Sequence, residues 1–386
     1  MTLRFLTAGE SHGPALVGIL DGMPAGVEIT ADDFSTLLQK RQSGYGRGER
    51  SRCSVDKAEI LSGVAGGKTN GNPVSLIIRN GRFSDCSSDY DPFAPSSNLS
   101  SLTVPIPGHA DFAGAMKYGT PDFRFIRERA SARETAICVA LSVFPRKMLK
   151  RLGISSAAFV TDIGGIKAGI DYSENPSVLA EKTAAAPEGF MTPDLAICRL
   201  WKELIDQGRA ESKTLGGSGC VIFWGLPAGL GGYSQSDRRL DEAIASAVMS
   251  IPAVKSVTIG LFPDNVVSQA GASIRFDSQS GFLLSENQNG GIEGGMTNGM
   301  PVVVHFSMKP LPGGCHAGSV DLENGLAAMP AYYRSDVEAV SAAAVTVESM
   351  IAIKLASAII GMTGGCSIDE IAGKFESFIE RQKRLP

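Results

Sequence analysis

Two of the four histidines lie in short turns where glycine or proline lets the ring be aimed at a ligand. His12 stands in the segment G-E-S-H-G, and His109 stands in P-G-H-A-D. Imidazole titrates close to neutral pH, so a ring in such a place suits general acid or base catalysis. The competing interpretation, a turn histidine that caps a neighbouring backbone group, stays open. His305 is assigned to a strand, and His316 stays unassigned.

Arginines form two clusters beside such turns. The first cluster surrounds G-Y-G-R-G and the second runs through R-E-R-A-S-A-R-E-T-A. The members are Arg41, Arg47, Arg50 and Arg52 in the first cluster, and Arg124, Arg127, Arg129 and Arg133 in the second. Arginine grips phosphate and carboxylate with two parallel hydrogen bonds. Because the net charge is −4, these local clusters indicate a pocket for a small acidic molecule rather than a nucleic-acid surface. Pairing with Glu128 or Glu134 is the alternative.

The segment 285–301 is rich in glycine and asparagine and reads S-E-N-Q-N-G-G-I-E-G-G-M-T-N-G-M-P. Paired glycines let the backbone take positive φ and bring its N–H groups close to a ligand. Either this run wraps an anionic or flat ligand, or it is a long surface loop. The chain contains no P-loop, no G-x-G-x-x-G turn after a first strand, no G-x-S-x-G and no metal-ligand spacing.

Composition limits the protein class. The chain has 386 residues, of which 43% are apolar and 20% charged, enough for one large core. The seven cysteines are scattered without C-x-x-C, which argues against disulfides and zinc and favours a reducing compartment. The first residues lack the features of a signal peptide, and the uncharged run 215–236 is broken by Gly and Pro. We therefore expect a cytoplasmic, soluble protein.

The elements that must position these residues do not follow a regular strand–helix alternation, so the sequence predicts an α+β fold. Expected strands are 3–8, 15–20, 58–62, 74–78, 220–224, 254–260 and 302–306. Expected helices are 30–42, 129–152 with Pro145 kinking or ending it, 193–207, 236–248, 337–360 and 367–383. The polar stretch 82–105 predicts a lid, a binding loop or disorder. No composition break divides the chain, so we expect a single domain over 1–386.

Taken together, these segments resemble the chorismate synthase family. The matching segments are G-E-S-H-G-P-A at 9–15, R-Q-S-G-Y-G-R-G-E-R at 41–50, L-S-G-V-A-G-G-K-T-N-G-N-P-V at 61–74, P-G-H-A-D-F-A-G-A-M-K-Y at 107–118, R-A-S-A-R-E-T-A at 129–136, G-L-P-A-G-L-G at 225–231, the glycine and asparagine run, and Arg334-Ser335-Asp336. Their order and spacing are far more specific than any one of them. The resemblance implies a β-α-β sandwich, with helices between antiparallel sheets, and a homotetramer.

The resemblance also implies a reaction. Family members convert 5-enolpyruvylshikimate 3-phosphate to chorismate and phosphate by a 1,4-anti elimination, the last step of the shikimate pathway. They need reduced FMN although no net oxidation occurs. The flavin is thought to lend an electron to the substrate as phosphate leaves and to recover it when the C6 hydrogen is lost. The expected enzyme is a carbon–oxygen lyase.

Residue roles carry over only where the motifs match. The resemblance implies three catalytic residues: His12 to protonate the departing phosphate, His109 near the reduced flavin, and Asp336 to take the flavin N5 proton. The implied substrate ligands are Arg41, Arg47, Ser131, Ala132, Arg133 and Arg334. The implied FMN ligands are Arg124, Ser131, Ala132, Pro252, Ala253, Gly294, Gly295, Asn298, Lys309 and Arg334.

The chain departs from the family pattern at two places. Ile106 stands where the family usually has Arg in P-R-P-G-H-A-D, and Leu311-Pro312-Gly313-Gly314 replaces a run with threonines. We expect another basic residue, Arg124 or Arg127, to replace the missing cation, or else a lower substrate affinity. The alternatives are a flavin-binding homologue with weak or lost lyase activity, a flavin oxidoreductase, and a synthase that also reduces its flavin with NAD(P)H.

Overall fold

The computed structural model describes residues 2–48, 55–81, 83, 93, 101–260, 273–277, 281–312, 317–331 and 336–384. Two antiparallel sheets enclose a layer of helices in this part of the chain. The strands are β1 Arg4–Ala8, β2 Ala15–Asp21, β3 Ala58–Ser62, β4 Val64–Ala65, β5 Lys68–Thr69, β6 Val74–Arg79, β7 Ser155–Ile163, β8 Ile166–Lys167, β9 Gly217–Trp224, β10 Ala228–Gly231, β11 Val254–Ile259, β12 Ile274–Asp277, β13 Gly281–Leu284, β14 Ile292–Glu293, β15 Met296–Asn298, β16 Val302–Met308, β17 Ser319–Val320 and β18 Ala327–Ala328.

Ten α-helices occur among the described residues. They are α1 Ala31–Gln42, α2 Asp111–Tyr118, α3 Arg124–Arg129, α4 Thr135–Leu141, α5 Val143–Arg151, α6 Pro176–Ala184, α7 Cys198–Ala210, α8 Leu240–Met249, α9 Val340–Thr363 and α10 Ile368–Gln382.

The first sheet has four strands in the order β1-β2-β6-β3 and buries one face. Apolar residues alternate along β2 and β6, as a half-buried strand requires. Leu16 and Leu20 on β2 and Leu76 and Ile78 on β6 are at most 2% exposed, and they share one core with α1 and α4. The opposite face of this sheet keeps apolar side chains in solvent.

The second sheet has five strands in the order β11-β16-β9-β7-β8 and is covered on both faces. Val221 packs into the main core, while its neighbours Cys220 and Ile222 join a second cluster with Phe159 and Leu179 of α6. Because both faces are covered, β9 is almost continuously apolar rather than alternating.

Helix α9 is the centre of the core. Eighteen of its 24 residues are buried, and it packs against α1, α4, α5, α8 and both strands β7 and β9. Its length and composition would also suit a membrane span, but 83% of its most apolar window is buried inside the protein. The buried carboxylate of Glu348 is held by Arg146 at 3.1 Å and Ser156 at 2.7 Å. These partners make its charge tolerable in the core.

The predicted α+β fold and the sandwich of helices between antiparallel sheets are confirmed. Helix α1 begins as expected, with a capping box in which Thr30 and Asp33 bond each other's backbone. The prediction of one helix over 129–152 was wrong. The chain forms α3, a short 3₁₀ turn at 132–134, α4 and α5, and the break falls at Ser142. Pro145 lies in the first turn of α5, where its missing N–H costs nothing.

Other boundaries moved and some elements were missed. The helix expected at 193–207 begins at Cys198, and the helix expected from Ser236 begins at Leu240 after a 3₁₀ turn. Strand β7 was not predicted, although it lies inside the second sheet. Residues 82, 84–92 and 94–100 of the expected lid lie outside the described residues. The single domain over 1–386 stays a prediction.

Candidate active site

The first arginine cluster is anchored by Arg41 on the buried face of α1. Its Nε and Nη2 donate to the Thr135 hydroxyl at 2.9 and 2.7 Å, and Nη2 also donates to the Ala132 carbonyl at 2.9 Å. Burial lowers the pKa of Arg41 to about 9, and the nearby positive charges of Arg47 and Arg133 act in the same direction. Arg41 therefore fixes the 131–135 turn and adds positive charge beneath it.

Arg47 pairs with Asp336, which stands just before α9. The two side chains are 2.5 Å apart, and the backbone N–H of Gly48 donates to the other carboxylate oxygen at 2.7 Å. Arg47 is 9% exposed, and its buried Nε has no partner among the described residues. A buried donor without a partner costs free energy. Arg47 is therefore held by its pair with Asp336 rather than by full hydrogen bonding of its guanidinium.

Arg133 pairs with Asp56 at 2.5 Å, and its backbone N–H donates to the Ser131 hydroxyl at 3.3 Å. The neighbouring Glu338 is 1% exposed; burial raises its pKa, although hydrogen bonds from the start of α9 and the charge of Arg47 oppose the rise. Three arginines therefore lie beside three carboxylates, Asp56, Asp336 and Glu338. The cluster gathers several guanidinium groups in one place, which suits the binding of an acidic substrate.

His12 is held by Glu128 of α3. The ring Nδ1 lies 2.8 and 2.9 Å from the two carboxylate oxygens, and the backbone N–H of His12 donates to one of them at 2.8 Å. The carboxylate is well shielded, while 42% of the His12 side chain is exposed. The exposed part of the ring can therefore meet a ligand.

His109 has a similar carboxylate partner. Its Nδ1 lies 2.5 Å from Asp111 Oδ1, while Arg127 of α3 and the backbone N–H of Ile106 donate to Oδ2 at 2.6 and 3.1 Å. Asp111 is fully buried. Burial alone would raise its pKa, but the hydrogen bonds from His109 and Arg127 outweigh burial and lower it. Asp111 is therefore an ionised, buried anchor for the imidazole.

Lys309 connects the His109 turn to the end of α8. Its ammonium donates to the Gly108 carbonyl, and its backbone N–H donates to the Ala253 carbonyl at 3.0 Å. Ala253 has φ of 68°, a conformation that costs free energy in a residue other than glycine. Such strain tends to occur at ligand sites. His109, Lys309, Ala253 and the adjoining Pro252 therefore lie close to one another.

The glycine and asparagine run folds differently. Gly294 and Gly295, with φ of 58° and 85°, form the turn of a tight hairpin between β14 and β15. The Asn298 amide donates to Glu293 at 3.1 Å within this hairpin. The Gly295 carbonyl accepts from Leu240 at the start of α8, whereas Ala253 follows its end. The hairpin and Ala253 therefore lie at opposite ends of α8, whose ten residues span about 15 Å.

Helix α3 ties the two histidines to the arginine cluster. Its residue Arg127 holds Asp111, the partner of His109, and its residue Glu128 holds His12 itself. The 131–135 turn bound by Arg41 follows directly. Arg124, a predicted flavin ligand, begins the helix. The structure therefore places His12, His109, Arg41, Arg133, Ser131 and Ala132 around one short segment. Arg50, Arg52, Arg334, Gly313 and His316 lie outside the described residues.

Sequence reasoning missed the carboxylates that orient these cations and imidazoles. They are Asp56, Asp111, Glu128 and Glu338. A local signal existed for Asp111, two residues after His109, and for Glu128 inside R-E-R. Glu128 had been considered as a partner for a neighbouring arginine. Its pairing with His12 spans 116 residues and gave no local signal.

Known proteins share this fold over the full chain. Residues 3–360 match the family model described as chorismate synthase. The chorismate synthases of Desulforudis audaxviator and Geobacter sulfurreducens are both 42% identical to the chain, each match covering 98% of both sequences. A solved structure described as a crystal structure of chorismate synthase superposes with a TM-score of 0.80 at 35% identity, covering 100% of this chain and 99% of that one.

Proposed function

The chain belongs to the chorismate synthase family, and from that premise we propose how its residues carry out the reaction. The activity is that of a chorismate synthase, a carbon–oxygen lyase of the shikimate pathway that uses a flavin. Its substrate is 5-enolpyruvylshikimate 3-phosphate. Our proposal adds the form of the cofactor, reduced FMN, and the roles of individual side chains.

The arginine cluster binds the anionic groups of the substrate. The supporting observation is that Arg41, Arg47 and Arg133 lie close enough for their charges to act on one another. A phosphate and two carboxylates need several fixed cations, and planar guanidinium groups hold them better than ammonium groups. Arg41 contributes charge and holds the 131–135 turn, since its described hydrogen bonds go to Thr135 and Ala132. Arg334 completes this proposed set.

Three side chains handle protons. His12 protonates the departing phosphate, because its ring is held by Glu128 and partly open to the surface. His109, with its Nδ1 fixed by Asp111, would adjoin a bound flavin. Asp336, paired with Arg47, would supply the carboxylate that takes a proton from a reduced flavin. Proton donation to a leaving group by a positioned imidazole is worth about 10²–10⁴-fold in rate.

Part of the chain fits a flavin. The strained Ala253, Pro252, Lys309 and the His109 turn form one connected region, and Arg124 and the Ser131–Ala132 turn lie at the two ends of α3. Bound reduced flavin would supply a reversible electron transfer to the substrate. Gly294, Gly295 and Asn298 lie at the other end of α8 from Ala253. We propose that these residues and Arg334 hold the FMN.

The competing functions are not favoured. A flavin carrier without lyase activity would need neither the two carboxylate-held imidazoles nor the Arg47–Asp336 pair. The sequence shows no nicotinamide-binding fingerprint for a flavin oxidoreductase. Added NAD(P)H:flavin reductase activity is a separate question, which NADPH consumption in the absence of the phosphate substrate would answer.

One anaerobic assay tests the function. Protein, chemically reduced FMN and the enolpyruvyl phosphate are mixed, and chorismate absorbance and phosphate are followed. Equal amounts of chorismate and phosphate without net flavin oxidation support the lyase. Binding without product, or flavin oxidation in proportion to product, would contradict it. His12→Ala should lower the rate by about 10²-fold or more, while Glu174→Gln, which removes a remote ion pair with Lys182, should not.

We also propose a cytoplasmic homotetramer that binds neither nucleic acid nor membrane. The outer face of the β1-β2-β6-β3 sheet supports association, because Leu6, Ile19 and Leu61 are 67%, 42% and 58% exposed there. Leu6 and Ile19 are direct cross-strand partners, so these two side chains form one exposed apolar patch. Light scattering should give a mass four times the chain mass of 40.4 kDa. Leu6→Lys should lower that mass, and an unchanged mass would mean that another face holds the assembly.

A further inference from the structure

Glu128 grips His12 through two different groups of that residue. One carboxylate oxygen accepts from the His12 backbone N–H at 2.8 Å, and the ring Nδ1 lies 2.8 Å from the other oxygen. The Glu128 side chain is 12% exposed, against 42% for His12. An ionised carboxylate can only accept hydrogen bonds, so Nδ1 must carry a proton to bond it. The ring nitrogen that can face a ligand is therefore Nε2.

Glu128 is itself held in place by its helix. Its carbonyl accepts from the backbone N–H of Ser11 at 3.2 Å. The next residue, Arg129, donates to Thr7 Oγ1 at 2.8 Å and so ties α3 to the strand that leads into the His12 turn. The preceding residue, Arg127, is bound to buried Asp111. These contacts fix the helix backbone at Glu128 beside the His12 turn.

We propose that Glu128 is the positioning residue of His12, fixing its Nδ1–H and aiming Nε2 at the departing phosphate. This proposal rests on the proposed role of His12 as the acid. In the step, the Nε2–H bond breaks, an O–H bond forms on the phosphate, and the C–O bond to phosphate breaks with its electron pair leaving on oxygen. Over the whole elimination the electron pair of the lost C6–H bond forms the new double bond of the ring, so the carbon that loses phosphate stays neutral in the product. The ring is left neutral with its remaining proton on Nδ1, which is the form that the carboxylate holds.

A double-mutant cycle separates this role from a structural one. His12→Ala, Glu128→Ala and the double variant are assayed anaerobically with reduced FMN. Glu128→Ala should lower kcat by about 10²-fold, with little change in KM, since Glu128 acts through His12 and does not touch substrate. In the His12→Ala background the same change should alter kcat by less than about twofold. Glu174→Gln serves as the matched ion-pair control.

A second readout does not depend on turnover. The chain contains four histidines, so protein labelled with ¹⁵N only at histidine gives a sparse spectrum, and the His12 signals are those lost in His12→Ala. In the wild type at pH high enough for a neutral ring, the proton should be on Nδ1. In Glu128→Ala the ring should show a mixture with Nε2–H. Glu128→Gln, which keeps an acceptor oxygen and the side-chain shape, should retain the tautomer and lose about tenfold in kcat.

The outcomes distinguish the proposed role of His12 from that of Glu128. Full turnover in His12→Ala would overturn the proposed acid and with it the role of Glu128. If His12→Ala is slowed and Glu128→Ala lowers its kcat by the same factor as in the wild type, the Glu128 proposal alone would be overturned. An unchanged tautomer in Glu128→Ala would do the same. If Glu128→Ala does not fold, the tautomer and rate of Glu128→Gln decide, and a rate equal to the wild type would refute positioning.

Discussion

Replacing Arg127 by methionine should destabilise the protein, because Asp111 would stay buried with one cation fewer. Asp111 is fully buried, Arg127 is 14% exposed, and their charged atoms are 2.6 Å apart. At an effective dielectric constant of about 20, two unit charges at that distance attract each other by roughly 6 kcal/mol. The desolvation of Arg127 offsets part of this attraction, and His109 still faces Asp111. We expect a loss of about 3 kcal/mol in the free energy of unfolding.

Methionine is the appropriate replacement because it keeps a long apolar stem over the Phe123 ring, where the Arg127 guanidinium lies 4.8 Å from the centroid. Arg127→Lys is the matched control, since it keeps the charge and should cost about 1 kcal/mol. Urea unfolding gives the stability, and phosphate release with reduced FMN gives the rate. The rate of Arg127→Met should fall by about tenfold, because Asp111 would hold His109 less firmly.

A second change tests whether Arg127 replaces the arginine that the family usually has at position 106. The backbone N–H of Ile106 lies 3.1 Å from the same oxygen of Asp111, so a side chain at 106 starts beside that carboxylate. Ile106→Arg in the Arg127→Met background should recover at least half of the lost stability and rate. A loss below about 1 kcal/mol in Arg127→Met would refute the buried-pair argument. A double variant no better than Arg127→Met would refute the compensation.

Three further outcomes follow from the structure. Burial lowers the pKa of His305 to about 4 from its ordinary 6.5. The contribution of the neutral ring to stability is therefore complete above pH 6.5 and is lost as the pH falls towards 4. The free energy of unfolding in urea should fall between about pH 7.5 and about pH 5 by about 2 kcal/mol more in the wild type than in His305→Gln. Gly46→Ala places a Cβ 2.5 Å from Glu338 Cγ and should cost about 1–3 kcal/mol, whereas Gly373→Ala on an open helix face should gain about 0.5–1 kcal/mol. Arg47→Lys should raise KM for the phosphate substrate about tenfold with a smaller change in kcat. The reason is that a lysine cannot bind both Asp336 and an anion of the substrate in the way a planar guanidinium can. An unchanged KM would show that Arg47 does not bind the substrate.

The sequence by itself determined the parts of the protein whose physical cause is local. The capping box of α1 needs Thr30 and Asp33 three residues apart, and the chain shows them directly. The alternating pattern of β2 and the continuous apolar pattern of α9 are likewise visible in the letters. The motifs around His12, His109 and Arg133 pointed to the family and to an acidic substrate. The order of these motifs along the chain identified the family more specifically than hydrophobic periodicity or capping signals did.

The tertiary structure decided which charges meet. His12 and Glu128 are 116 residues apart, Arg133 and Asp56 are 77 apart, and Gly48 and Asp336 are 288 apart. Such pairs form because the helix layer packs between two sheets, and no local pattern encodes that packing. The same packing places the Gly295 hairpin and Ala253 at opposite ends of α8, a relation that neither segment's own residues encode. A segment's residue types limit what it can bind, but the neighbours that complete a site come from burying the core.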